Sequence, residues 1–154
     1  MNNGPDIKVN PFQMSVGLLV ASYILGEFVM PKYHLAYFFN LFGVLGLISS
    51  VTLFILGFTL FKSYGEDPNP TTLTKRLIKT GIYAYTRNPI YLAFVLFHLS
   101  MFLVFENVMY FLSSVGLAIW LHHWVIKVEE YYLEMQLKDE YIRYKNAVKR
   151  WLLF

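Results

Sequence analysis

The sequence predicts an all-α integral membrane protein with about four transmembrane helices, the last two forming a C-terminal helical hairpin, and a cytoplasmic amphipathic tail helix. Three observations lead there. Hydrophobic residues make up 56% of the 154 and charged residues only 15%, whereas soluble domains carry about 25% charged residues. The charges are also clustered. No Asp, Glu, Lys or Arg falls between Lys8 and Glu27, Lys32 and Lys62, Arg87 and Glu106, or Glu106 and Lys127, gaps of 18, 29, 18 and 20 residues. Roughly 20 apolar residues, rising 1.5 Å each, cross the hydrocarbon core of a bilayer. Finally, Lys and Arg are concentrated in alternate connections, which is how helical membrane proteins encode orientation.

The first span is expected over residues 12–30. "MPKYHLAYFF" follows it without an obvious small-residue cleavage site, so the run reads as a retained helix rather than a signal peptide. The second span, 33–61, follows a tight turn at "PKY". Its 29 charge-free residues would make a straight helix of about 43 Å, so it must tilt, break or project from the membrane. Gly43, Gly46 and Ser49–Ser50 offer a face on which another helix can pack closely. Spans over 90–105 and 108–126 meet at Glu106–Asn107, a hairpin with a polar tip.

The loop 62–89 contains a Pro-rich, turn-rich stretch, "GEDPNPTT". Lys62 to Arg87 holds five basic and two acidic residues, and the tail 127–154 holds six basic and five acidic, while the two short turns carry only Lys32 and Glu106. The loop, the tail and the N-terminus are therefore expected in the cytoplasm, the chain forming one membrane domain over 1–154. In the tail, Leu133, Leu137, Tyr141, Tyr144, Val148 and Trp151 recur at helical spacing with charges opposite. Such a helix lies on the membrane surface or folds back over the cytoplasmic ends of the spans. There are no cysteines, so no thiol chemistry of the chain's own is available, and a net charge of +3 is too small and dispersed for nucleic-acid binding.

Candidate functional residues gather where the third and fourth spans reach the cytoplasmic side. In "YTRNPIYLA", Asn88 suits an N-cap and Pro89 the first helical position. The helix start favours an anion, and Arg87 reinforces it; the same residues also fit a capped helix with a snorkelling arginine. Upstream, Gly81 provides a turn, and Tyr83 and Tyr85 provide aromatic walls. Glu129 and Glu130 follow the fourth span, suited to an ammonium or sulfonium cation or to plain solvation. His122 and His123 lie about two turns earlier. Adjacent histidines diverge by about 100° on a helix, so no metal site is expected, and His122 either packs or lines a pocket. Glu27 sits three residues from the end of its run and reaches the interface.

The combination "LIKTGIYAYTRNPIYLAF", a helical hairpin, then "VIKVEEYYLEMQLKDEYIRYKNAVKRWL" resembles the isoprenylcysteine carboxyl methyltransferase family. It also resembles the wider group of membrane methyltransferases that includes the phospholipid N-methyltransferases. The likeness covers residues 70–151; the first two spans match only in hydropathy. It carries the pattern G-x-Y-x-x-x-R-[HN]-P-x-Y, then E-E, then Y-x-x-Y and R-W. The resemblance implies S-adenosyl-L-methionine as cofactor, held by Lys75, Arg76, Leu77, Ile78, Gly81, Tyr83, Asn88, Pro89, Ile90, Tyr91 and Glu129. Asparagine at position 88, where eukaryotic prenylcysteine enzymes have histidine, is familiar among bacterial relatives and implies a bacterial or archaeal inner membrane. Those enzymes also have an arginine where this chain has Val125, and Phe-Gly where it has Leu137–Lys138.

The expected activity is methyl transfer by in-line displacement onto an O, N or S atom of a lipophilic or membrane-lipid acceptor that enters laterally between spans. Arg87, Glu130 and His122 are the catalytic candidates, the last two as proton acceptors, and no metal takes part. Two other readings fit the same features: an NADPH-dependent reductase of the sterol-reductase type, and a non-catalytic membrane scaffold. Binding of S-adenosylhomocysteine, NADPH or neither separates the three.

Overall fold

A computed structural model describes residues 4–30, 34 and 37–152, and all regular structure among them is helical. The first helix, α1 (Pro11–Phe28), starts where Asn10 accepts hydrogen bonds from the N–H groups of Phe12 (2.9 Å) and Gln13 (3.4 Å), with Pro11 at its first position. The turn expected at residues 31–33 lies outside the described residues, as does Tyr33, the expected start of the second span. Helix α2 (Tyr37–Ser63) is long and apolar enough to cross a membrane. Ile48, Ile55, Phe42 and Leu45 stand exposed along it, an arrangement that lipid, not water, would satisfy.

Helix α3 (Pro89–Phe105) is apolar but shorter, at 17 residues. It stops at Glu106, whose left-handed backbone (φ 56°) turns the chain while its N–H donates to the Phe102 carbonyl. Asn107 then caps α4 (Val108–Trp120) by accepting from the Met109 N–H at 2.9 Å. The expected hairpin with a polar tip is present.

No helix end marks the expected boundary between the fourth span and the tail. Helix α4 runs through a π-helical stretch, Leu121–Ile126, directly into α5 (Lys127–Ala147), with no break before a kink at Lys138. The wider π turn keeps one row of residues at four-residue spacing facing inward. Leu117, Leu121 and Val125 are fully buried, and the next member of the row is Glu129. This is how an apolar helix delivers a carboxylate to the interior. The expected tail stripe also faces inward: Tyr141, Tyr144 and Trp151 are buried, and Leu133, Leu137 and Val148 half-buried. Its helical run ends at Ala147 and bends at Lys138 (φ 47°, ψ −125°).

Helix α2 packs along α3, α3 against α4, and α4 against α1. Glycines permit the α2–α3 approach. A side chain at Gly43 would meet Val104 at 2.7 Å, and one at Gly57 would meet Ile90 at 2.9 Å. Buried polar side chains join the other helices. His98 contacts Ser15 on α1 (3.1 Å) and Ser113 on α4 (2.7 Å), while Ser22 donates to the Met109 carbonyl and Asn107 to that of Ser22. At the opposite end, Ile7, Tyr91, Leu121, Val125, Ile126 and Trp151 form the apolar core. The N-terminal segment, the start of α3 and the C-terminal segment thus share one end of the molecule.

Candidate active-site cleft

At that end lies a cleft enclosing about 870 Å³ of empty space, its open mouth included. Local sequence explains each wall. Gly81 adopts a left-handed conformation (φ 57°) that opens the 3₁₀ turn Gly81–Ala84 and points Tyr83 inward, where its carbonyl accepts from the Tyr144 hydroxyl at 2.7 Å. Glu66 accepts from the Lys75 N–H at 3.0 Å and closes the preceding loop. Asp67 and Asn69 accept from backbone N–H groups two residues ahead, folding the Pro-rich stretch over the rim. Ile90 and Tyr91 come from the first turn of α3, whose N–H groups have no intrahelical partners. Glu129, Glu130, Tyr132 and Leu133 come from the start of α5, and Tyr141 and Tyr144 from beyond its bend.

The two carboxylates have opposite environments. Glu129 is half-buried and accepts one hydrogen bond, from the Tyr91 hydroxyl at 2.8 Å. Burial first, and the charge of Glu130 second, push its carboxyl up to about 8 against the opposing pull of the Tyr91 bond. Among the described residues its other oxygen has no hydrogen-bond partner. Glu130 is 6% exposed and lies between Arg87 (2.6 Å) and Arg150, whose Nε donates at 2.9 Å. Burial raises its carboxyl too, but the Arg150 hydrogen bonds and the Arg87 charge outweigh this and hold it below the usual range. Burial keeps the Tyr83, Tyr141 and Tyr144 phenols neutral by raising each of them. The Tyr132 hydroxyl is buried with no hydrogen-bond partner among the described residues.

Of the residues expected around a cofactor, Arg76, Leu77, Ile78, Tyr83, Asn88, Ile90, Tyr91 and Glu129 line the cleft, whereas Lys75, Gly81 and Pro89 do not. Gly81 and Pro89 shape its walls from behind, and the Lys75 side chain is exposed. Three of the expected residues have other partners. Asn88 occupies the N-cap position without capping by its side chain, because its amide donates to the Arg150 carbonyl at 3.0 Å. Arg87 is not spare for an anion at the helix start. Its Nη1 donates to the Lys145 and Val148 carbonyls (2.7 and 2.8 Å) and its Nη2 to Glu130, so it clamps the end of α5 onto the loop. His122 stands apart from this cleft, against Arg150 (3.2 Å) and Trp151 (3.5 Å). Val125 is buried in the apolar core.

Sequence reasoning missed the contribution of Pro5, Phe61 and Tyr132 to the walls, and gave Arg150 no role. The only signal for Arg150 was its place in the R-W pair of the tail.

A helical protein with long apolar helices and a polar, aromatic-walled cleft at one end suits chemistry at a membrane surface. The family profile of phospholipid methyltransferases matches residues 39–140, about two thirds of the chain, and the chain belongs to that family. The match spans Tyr83, Tyr91, Glu129 and Glu130 and stops just before Tyr141. Comparison with curated proteins and with solved structures finds no match. Membership makes methyl transfer the kind of reaction involved, and together with two helices long and apolar enough to span a membrane it fits a membrane protein.

Proposed function

We propose that this chain transfers a methyl group from S-adenosyl-L-methionine to a lipophilic acceptor, a membrane lipid, at the cytoplasmic face of a bacterial or archaeal cell membrane. The observation that carries the reading is Glu129: a half-buried carboxylate tied only to Tyr91, in a cleft walled by tyrosines. A carboxyl raised to about 8 by burial gains most from a cation placed beside it. The partnerless Tyr132 hydroxyl in the same wall awaits an acceptor. Both fit a ligand that carries an ammonium, a sulfonium and a polar nucleoside. Glu129 would hold the ammonium, Tyr83 and Tyr91 would flank the cationic sulfur and the adenine, and Leu77 and Ile78 would close the apolar side.

S-adenosyl-L-methionine, when bound, supplies a methyl group already activated by its positive sulfur. The chain's own part is orientation and exclusion of water. Glu130 is a poor proton acceptor, since both its oxygens are taken by arginines, and His122 faces another cleft. Arg87 acts here as a positioning residue that holds the tail over the cleft.

In this reading four spans, 12–30, 33–61, 90–105 and 108–126, belong to one domain with both termini, the loop 62–89 and the tail 127–154 in the cytoplasm. The grouping of the N-terminal segment, loop and tail at one end supports it. The family match favours it over a reductase or a scaffold. Calorimetric titration of the detergent-purified protein with S-adenosylhomocysteine tests it. Saturable binding, lost in Glu129→Ala, is expected; a folded protein that binds none refutes the cofactor assignment.

A further inference from the structure

A second cleft, of about 700 Å³ with its open mouth, adjoins the first and shares Arg87 with it. Its charged lining is of one sign. Arg87, Lys145, Lys149 and Arg150 line it and, among the described residues, no carboxylate does. The acids that balance three of these cations lie elsewhere: Glu130, between the two arginines, lines the first cleft, and Glu134 pairs with Lys145 from outside the second. The Lys149 ammonium has no partner among the described residues, and its exposed side chain stands beside the Arg150 guanidinium in sequence. The Arg87 Nε–H is buried and finds no acceptor among the described residues. His122 and Trp151 complete the lining.

Position matters as much as charge. His122 belongs to the π-helical stretch at the end of the fourth apolar run, and its neighbour Trp124 is exposed, as tryptophans are at the headgroup level of a bilayer. A cluster of four cations at that level, balanced among the described residues by two carboxylates that both lie outside the cleft, is suited to a tetrahedral, multiply charged oxyanion.

We infer that this second cleft binds a phosphate group. On the proposed function, on which the choice of source rests, that phosphate is the headgroup phosphate of the acceptor lipid. The shared Arg87 places the bound headgroup next to the Glu129 cleft. Specificity would then come from two neighbouring compartments, one for the cationic donor and one for the anionic acceptor, divided by the Arg87–Glu130–Arg150 ion pairs.

The test is calorimetric titration of the full-length protein in a neutral detergent with two probes, inorganic phosphate and soluble dihexanoyl phosphatidylethanolamine. Lys149 is the residue to vary because its side chain makes no hydrogen bond or ion pair among the described residues. Lys149→Glu should weaken binding by about tenfold or more, the scale of a lost charge-assisted hydrogen bond. Lys149→Arg should retain it, and Lys62→Glu, at the end of α2 and outside this lining, should leave it unchanged. Binding of the short-chain lipid alone assigns the site to a headgroup, and binding of inorganic phosphate alone assigns it to the free ion; both support a phosphate site. Absence of saturable binding by either probe, or equal binding by Lys149→Glu, overturns it. Titration with S-adenosylhomocysteine runs alongside: unchanged affinity in Lys149→Glu reports an intact first cleft. If S-adenosylhomocysteine fails to bind while phosphate binding still depends on Lys149, the donor assignment fails and this site stands.

Discussion

Glu129 and Glu130 are adjacent in sequence and differ by one turn of environment. Glu129 has a tyrosine for company and is raised to about 8; Glu130 has two arginines and is lowered. In the free protein Glu129 holds its proton at neutral pH, so a bound ammonium must displace it. Affinity for S-adenosylhomocysteine should therefore rise by about tenfold per unit as pH approaches 8 and flatten above it, with a proton released on binding. Calorimetry in buffers of different ionisation enthalpy reads both, and a pH-independent affinity would count against Glu129 as the cation partner. The signs for stability are also opposite. Folding favours protonated Glu129, a contribution present below the usual carboxyl value of 4.5 and lost as pH rises through about 8. Glu130 contributes above 4.5, and this is lost as pH falls through its lowered value. Glu130→Gln strands Arg87, whose side chain is 8% exposed, and should cost about 3–5 kcal/mol. Removing the exposed Lys79–Glu140 pair should cost under about 1 kcal/mol; thermal unfolding of both variants gives the contrast. At this scale the motif spacing brought Tyr83, Tyr91 and Glu129 to one place. It could not reveal that Arg87 is consumed by carbonyls of the tail, because that depends on where residues 145–148 end up after the bend.

At the scale of elements, the starts of α3 and α4, the polar hairpin tip and the glycine face of α2 were legible, since each depends on local chemistry. The continuity of α4 with α5 was not, because the charges after Lys127 look like a new aqueous segment while the inward row continues through Val125 to Glu129. The tail stripe was legible as helical periodicity, but its bend at Lys138 was not. That bend puts a lysine at φ 47° and ψ −125°, a conformation that costs a non-glycine residue of order 1–3 kcal/mol. Lys138→Gly should therefore stabilise the protein by about 1 kcal/mol, seen as a raised melting temperature; no gain would mean that the bend is unstrained. Conversely, Gly57→Val forces a side chain toward Ile90, 2.9 Å from its first carbon. It should separate α2 from the start of α3 and lower stability by about 1–3 kcal/mol.

For the whole molecule, charge clustering alone sorted the chain into apolar runs and basic connections, and the structure gathers the N-terminal segment, loop and tail at one end. What hydropathy could not supply is the interior contact pattern. His98, joined to Ser15 and Ser113, is invisible to a scale that counts it only as polar. Because the chain has no cysteine, single cysteines placed at Asp6, Asp67 and Lys149 can report topology directly. All three should resist a membrane-impermeant maleimide in intact cells and react after permeabilisation, with a cysteine at Glu106 reacting in both. Opposite behaviour of Asp6 and Asp67 would break the four-span arrangement.

The central claim is that the cleft around Glu129 moves a methyl group from a soluble cationic donor to a lipid. The most direct measurement supplies S-adenosyl-L-methionine with a labelled methyl group to the protein in vesicles containing phosphatidylethanolamine, then extracts and weighs the lipids. Label is expected in the lipid fraction, lost in Glu129→Gln while the variant stays folded. Label confined to the aqueous phase with every lipid class offered, or undiminished transfer by the folded Glu129→Gln variant, would contradict it.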